Sequence, residues 1–465
     1  MEYVKLTKKI GIYFIGNLST KLMSSIMIFI YAFYINAENL GRYEYIQTLS
    51  NIIVPIAFIS IWESILKYTL STKIDNEKMC VINTSAIFSI IISILLFVLG
   101  ILYYQVIKNE QYSIYIILIY IFFGLSNIWQ YYSRCLNETK MYVKSSVIGS
   151  FTNLMLILIL ICIFKLNIMG LFIANILGNC TILIFLEFKM KILKKIHIKN
   201  FDVKLLKRML IFSFPLVIND ISLWLITGFG KAIIQTVLGE SANGLYSFAN
   251  KFTIIVNLLG LIINKALTEE MLVSEKKDTF IQLKKIMQEL IEKLLVFLIL
   301  SIPIIMIFYS FIIKTEYYQS KIYVPLLLIY SFIMLISTNL SIVFKITEKT
   351  EYQFIATLTG AIITVIISIL LINKIKIFGV ILGQIIGGLI NVIFRYKISK
   401  RLINLDIYWN KNFVILMIYL LISILSLRAN LLQNIIFEII ILMIFLIIYS
   451  KEIRNILNKI YLNYK

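Results

Sequence analysis

The sequence predicts an all-α polytopic membrane protein with about 14 transmembrane helices. It predicts two six-helix bundles related by a pseudo-two-fold axis along the membrane normal, plus two C-terminal helices. Three observations carry this expectation. The first is composition: 60% of the 465 residues are hydrophobic, only 15% are charged, and the mean hydropathy is +0.91. That balance leaves too little polar surface for an ordinary water-soluble globule. The second is the recurrence of apolar runs of about 20 residues, the length that crosses a hydrocarbon core of ~30 Å. The third is self-similarity at an interval of a little over 200 residues.

The apolar runs fall near 10–35, 43–66, 80–104, 113–132, 142–164, 168–188, 210–237, 244–267, 291–313, 322–344, 352–373, 377–396, 411–428 and 431–450. The opening MEYVKLTKKIG is basic but leads into a long run without a small-residue cleavage site, so the first run reads as a retained helix. With a cytoplasmic N-terminus, 34 of the 45 Lys and Arg residues lie in inner segments and 8 in outer ones. Positive residues favour the cytoplasmic side, which places both termini inside. The net charge of +21 is then that of basic loops beside anionic headgroups, and nucleic acid is not an expected partner. Rich usage of Ile, Lys, Asn and Tyr points to an AT-rich bacterial genome.

The four cysteines, Cys80, Cys135, Cys162 and Cys180, have neither CxxC nor Cys/His spacing, so no disulfide framework and no metal site is expected. His197 stands alone in a basic loop, and no nucleophile-base or phosphate-loop constellation is visible. The chain therefore reads as a non-enzyme without a cofactor. A membrane glycan polymerase or acyltransferase would be expected to show a long outer loop with clustered Arg or an intramembrane His.

The repeat is carried by three matches. Gly41-Arg42-Tyr43 finds Gly244-Leu245-Tyr246, and Glu138-Thr139-Lys140 with Tyr142 finds Glu348-Lys349-Thr350 with Tyr352. Gly170 and Gly178 find Gly379 and Gly387. Each match falls at the equivalent place in its half, so the domains are expected at 1–200, 201–402 and 403–465, the last holding two accessory helices and a cytoplasmic tail. Six helices per copy start both copies on the same side, and a shared cavity between them is the expected site.

Several stretches together resemble the polysaccharide or O-antigen flippases of the multidrug/oligosaccharidyl-lipid/polysaccharide exporter superfamily. They are IYFIGNLSTKL at 12–22, ENLGRYEYIQTLSNIIVP at 38–55, FSFPLVINDISLWLI at 212–226, LGESANGLYSFANKF at 238–252 and YVPLLLIYSF at 323–332. The resemblance implies movement of an undecaprenyl-diphosphate-linked oligosaccharide from the cytoplasmic to the outer leaflet of a bacterial cytoplasmic membrane. It also implies polysaccharide polymerase machinery as a partner. A drug or cation antiporter of the same superfamily is the nearer rival, and it would need buried acids. A scaffold without transport activity is a third reading.

A lipid-linked sugar diphosphate requires a cation and hydrogen-bonding groups in a wet cavity, with its tail left in the bilayer. On helix one, Asn17, Lys21, Ser24 and Ile28 share a face at helical spacing. Lys21 lies too deep for easy snorkelling, and three readings are open: it meets the diphosphate, it pairs with Glu63 or Asp220, or it snorkels part way. On helix seven, Asp220, Trp224, Thr227 and Lys231 form a stripe. The family commonly carries Asp-Arg where this chain has Gly230-Lys231, so the acidic partner is missing and Lys231 reads equally as an interfacial lysine. On helix eight, Asn243, Ser247, Asn250, Asn257 and Asn264 lie near one face beside Lys251, as a sugar-facing wall or as interhelical glue. The repeat places Gln47 and Ser50 where Asn250 and Thr253 stand. Glu63 and Asp220 are candidates for coupling to a proton or sodium ion, and Glu63 alternatively pairs with Lys67 at i+4. The polar stretch 271–290 is expected along the cytoplasmic surface.

Overall fold

In a computed structural model the chain is described except at residues 1, 73, 108–111, 137, 198–199, 255, 259–275, 348, 406, 408 and 464–465, and the side chains of 2–15, 17, 104, 106–107, 139, 276–283, 285–286, 345–346, 350, 409, 448 and 451–463 are likewise undescribed. The described residues are predominantly helical, joined by short turns, with no strand among them. Helices α1 (Glu2–Tyr34), α2 (Ala37–Ala57), α3 (Ile61–Leu70), α4 (Asp75–Ile107), α5 (Ser113–Cys135), α6 (Thr139–Ile157), α7 (Asn167–Met190) and the short α8 (Ile192–Lys195) come first. They are followed by α9 (Val203–Thr227), α10 (Phe229–Leu238), α11 (Glu240–Asn250), α12 (Lys276–Phe311), α13 (Val324–Ile346), α14 (Thr350–Ile375), α15 (Ile377–Ile403), α16 (Trp409–Arg428) and α17 (Leu431–Asn463). Among the described residues ten helices are long and apolar enough to cross a membrane, or eleven if α2 and α3 count as one bent span. The apolar stretches Leu18–Tyr34, Phe229–Leu238 and Leu431–Ile447 fall short of that length. The chain is a multi-pass membrane protein.

Helix ends follow from local chemistry. Asn36 accepts a hydrogen bond from the backbone N–H of Asn39 at 2.9 Å, and Glu38 sits in the first turn of α2, where the helix dipole favours an anion. Asp202 caps α9 through the Leu205 N–H at 3.0 Å. Asn430 and Gln433 cap α17 reciprocally, each side chain accepting the other's backbone N–H.

The chain falls into two compact units, 1–254 with 357–387, and 255–356 with 388–465. In the first, Phe58, Ile61, Ile65, Ile82, Ile128, Tyr132, Leu186 and Met209 form a buried core drawn from α2, α3, α4, α5, α7 and α9. The basic loop after α7 is tied to α4: Asn83 accepts from the His197 N–H at 2.8 Å and donates to the His197 carbonyl at 3.1 Å. In the second unit, Arg395 donates to the Ser337 carbonyl at 2.7 Å, Ser337 donates to Asn391, and Tyr419 donates to the Pro325 carbonyl.

The run expected at 43–66 is not one straight helix. After Pro55 the chain takes positive φ at Ile59 (52°) and Ser60 (41°), and α3 leaves α2 at 55°. The run at 210–237 likewise breaks at Gly228, between α9 and α10. From 276 onward the polar stretch is helical and continuous with the apolar part of α12, one unbroken helix of 36 residues; 271–275 lie outside the described residues.

The repeat motifs meet one another. A Cβ on Gly41 would stand 1.8 Å from the Glu240 carbonyl oxygen, and a Cβ on Gly244 would stand 1.8 Å from that of Ala37. At an interval of 203, Gly41 corresponds to Gly244 and Ala37 to Glu240, so the contact is reciprocal, as a local two-fold requires. Asn243 donates to the Gly41 carbonyl at 2.8 Å, and Arg42 reaches Glu240 at 3.7 Å. Gly178 packs on the Gly149 carbonyl, and Gly387 packs on that of Gly360. The turn before α6 has Glu138 N–H bonded to the Ser133 carbonyl and Met141 N–H to Glu138. The turn before α14 has Lys349 N–H bonded to Phe344 and Tyr352 N–H to Lys349. The backbone register there is one residue off the Glu138 to Glu348 match read from side-chain identity.

Candidate functional site

Two cavities open among the helices of the first unit. The first, about 490 Å³, is lined by Lys21 and Ser24 of α1, Glu44 and Gln47 of α2, Ser150 and Asn153 of α6, Asn175 and Asn179 of α7, and Lys251 after α11. The second, about 550 Å³, is lined by Trp62 and Glu63 of α3, Asn127 and Tyr131 of α5, Asp220, Trp224 and Thr227 of α9, Lys231 of α10 and Asn250 of α11. Phe123 lines both.

Glu44 links them. Its Oε1 lies 2.5 Å from Lys251 Nζ in the first cavity, and its Oε2 lies 2.6 Å from Lys231 Nζ in the second. The carboxylate is buried, with 9% of the residue exposed, so both lysines hold it in a medium where charge pairing is strong. Lys251 also stands over the Tyr31 ring, 4.8 Å from its centroid. This corrects the reading of Lys231 as an interfacial lysine without an acid. The acid comes from α2 rather than position 230, where even a Cβ would meet Gln384 Nε2 at 2.7 Å.

Lys21 and Ser24 face the first cavity as the α1 stripe requires, while the Asn17 side chain lies outside the described residues. Neither Glu63 nor Asp220 pairs with Lys21. Asp220 Oδ2 accepts from Ser60 at 2.7 Å, and Glu63 Oε1 accepts from Tyr131 at 2.8 Å. The i+4 pair of Glu63 with Lys67 does not form, because Lys67 lies over the Phe212 ring at 3.7 Å. The α9 stripe survives the break at Gly228: Asp220, Trp224, Thr227 and Lys231 all line the second cavity. Trp224 is fixed there by its indole N–H, which donates to the Thr48 carbonyl at 2.8 Å.

The helix-eight row divides. Asn250 lines the second cavity, but Ser247 is a correction: it is 1% exposed, lines neither cavity and donates to Asn243 one turn earlier on α11 at 3.4 Å. Asn257 accepts from Ser331 at 2.8 Å within the second unit and lines neither cavity, and Asn264 lies outside the described residues. Gln47 lines the first cavity, and its Nε2 is buried with no hydrogen-bond partner among the described residues. Ser50 donates to the Gln47 carbonyl and Thr253 to that of Asn250, both at 2.7 Å, so the pair expected from the repeat shares its local bonding.

Sequence reasoning missed Glu44, the amides Asn153, Asn175 and Asn179, and the aromatic pair Trp62 and Tyr131. The signal for Glu44 was the imbalance itself: lysines inside apolar helices call for an acid at similar depth, and ENLGRYEYIQ holds one.

Fold and site together define a multi-pass helical membrane protein with charged, amide-lined cavities enclosed among its helices. A family model described as polysaccharide biosynthesis protein matches residues 6–268. That is more than half of the chain, and the chain belongs to this family. No curated protein matches it. Among solved structures it is similar to the lipid II flippase MurJ in an inward closed conformation, with 18% identity over 94% of this chain and 99% of that one and a TM-score of 0.68. It is also similar to an inward-facing multidrug resistance MATE family transporter of the MOP superfamily, with 14% identity over 83% and 94% of the two chains and a TM-score of 0.61. At these identities the likeness is one of fold.

Proposed function

We propose that the protein is a flippase that carries an undecaprenyl-diphosphate-linked oligosaccharide from the cytoplasmic to the outer leaflet of a bacterial cytoplasmic membrane, for surface polysaccharide biosynthesis. Both termini are cytoplasmic in this reading, and the chain acts as a carrier rather than an enzyme. The observation that carries it is the charge of the first cavity. Lys21 and Lys251 are set there against the single Glu44, which Lys231 also claims from the second cavity, and among the described residues no acid stands within ion-pair reach of Lys21. A diphosphate supplies the missing anion, and Gln47, Asn153, Asn175 and Asn179 offer donors beside it. Family membership favours a polysaccharide pathway.

Alternating access is the proposed mechanism: two six-helix halves, 1–200 and 201–402, rock about the site while the lipid tail stays in the bilayer. Directionality comes from a proton or sodium gradient acting at Glu63 or Asp220, or from consumption of the sugar by polysaccharide polymerase machinery outside. Lys21→Ala is expected to stop export of the lipid-linked sugar while the protein stays in the membrane at its normal level, and Lys21→Arg to retain much of it. Undiminished export by Lys21→Ala removes the residue from the mechanism.

The second cavity favours a second reading, since Glu63 and Asp220, both half-buried, are acids that a cation antiporter could use. Proteoliposomes given an ethidium load and a proton or sodium gradient discriminate: gradient-driven dye movement supports the antiporter, and its absence alongside lipid transfer supports the flippase.

A further inference from the structure

The two cavities differ in charge and in surface. Lys21 and Lys251 dominate the first, with Glu44 already held by two lysines. In the second, Lys231 is drawn onto that same Glu44 at 2.6 Å, while the carboxylates of Glu63 and Asp220 face the cavity without an ion pair among the described residues. Each carboxylate is half used. Tyr131 takes Glu63 Oε1 and Ser60 takes Asp220 Oδ2, while among the described residues no donor meets Glu63 Oε2 or Asp220 Oδ1. Flat apolar faces stand beside them. The Trp224 ring is pinned by its N–H on the Thr48 carbonyl, and Trp62 and Tyr131 lie with ring centroids 6.5 Å apart, tilted by 47°. Arg134 covers the Tyr131 ring from 4.6 Å and holds it in place. Asn127 and Asn250 add amides that both donate and accept.

We propose that this second cavity is a sugar subsite, taking a neutral or amino sugar of the lipid-linked substrate and rejecting an acidic one; this rests on the flippase reading. A pyranose offers C–H faces to aromatic rings and vicinal hydroxyls that donate to a carboxylate, and both features are present, pre-positioned by bonds to the protein. An ammonium on the sugar gains a charge-assisted bond to Glu63 or Asp220. A uronic acid would place a third carboxylate beside Glu63 and Asp220, where the lining lysine, Lys231, is already engaged by Glu44 and Arg134 lies on the Tyr131 ring, and like charge in a confined site is unfavourable. The volume of about 550 Å³ is that of a small-ligand site.

The test uses the full chain in lipid nanodiscs and four probes: undecaprenyl diphosphate alone, and the same lipid carrying N-acetylglucosamine, glucosamine or glucuronic acid. Binding is read by native mass spectrometry. The N-acetylglucosamine and glucosamine lipids should bind roughly tenfold or more tighter than the glucuronic acid lipid, and tighter than the bare lipid. Glu63→Gln and Asp220→Asn, which keep shape and remove charge, should bring the glucuronic acid lipid to within about threefold of the neutral one. Equal binding of all four lipids by the wild-type chain overturns the subsite and leaves the flippase reading standing. Binding of none overturns both. If occupancy follows added sodium and is indifferent to the sugar, the cavity is a cation site and the subsite is likewise overturned.

Discussion

Glu44 divides one buried carboxylate between lysines 187 and 207 residues further along the chain. Removing it leaves two lysines without their acid, which is worse than removing one lysine, because a stranded buried charge costs about 3–5 kcal/mol. Glu44→Gln should therefore lower the thermal midpoint of the detergent-solubilised protein more than Lys231→Met does. The double variant should recover part of the loss, and a scan in which Glu44→Gln melts like wild type would show that the carboxylate is not structural. Partners so far apart are invisible to helical periodicity, which relates only neighbours on one helix. That same periodicity did place Lys21, Ser24, Asp220, Trp224 and Thr227 on cavity walls, since each belongs to a stripe. It failed at Ser247 and Asn257 for a different reason: a stripe gives the face of a helix but not what packs against it. Ser247 turns to Asn243 on its own helix, and Asn257 meets Ser331.

Among the elements, the breaks govern where side chains point. At Gly228 a Cβ would come within 2.6 Å of Trp224 Nε1 and 2.9 Å of Thr48 Cγ2, so glycine is what lets the indole reach the Thr48 carbonyl. In a chain whose other three tryptophans are replaced by phenylalanine, Gly228→Ala should shift the Trp224 emission to the red, as the ring leaves its partner for a wetter position. The left-handed pair Ile59 and Ser60 does similar work between α2 and α3. It costs on the order of 1–3 kcal/mol for a β-branched residue at such φ, and it swings the Ser60 hydroxyl onto Asp220. A proline such as Pro55 inside an apolar run favours a kink, but a kink and a 55° break differ in the backbone state of residues that carry no turn signature. At the α2–α11 crossing, Gly244→Ala should cost about 1–3 kcal/mol, because the obstacle is the Ala37 backbone carbonyl and has no rotamer to move to. Loss of protein from the membrane fraction, or a lowered melting midpoint, measures it.

For the whole molecule, the multi-pass all-helical class was the most legible property, because apolar length is summed over many residues and survives local error. The orientation is still to be tested. Single cysteines placed in the basic loop at 189–208 should be shielded from an impermeant maleimide in intact cells, and cysteines at 314–321 should be labelled; the reverse pattern would invert the chain. The repeat was legible at its glycines because close helix approach tolerates nothing larger, whereas the side-chain match at Glu138 slipped by one residue, since loop residues are held by backbone bonds rather than by identity. The reciprocal meeting of Gly41 and Gly244 also bears on how such a chain can change by descent. A methyl group added to either copy is felt by the other, so lesions at the two positions should not be additive. Second-site suppressors of Gly41→Ala should map to 240–244. Elsewhere the copies have diverged, as Glu44 and its counterpart Ser247 show; at this crossing a mutation in one is inherited as a problem for both.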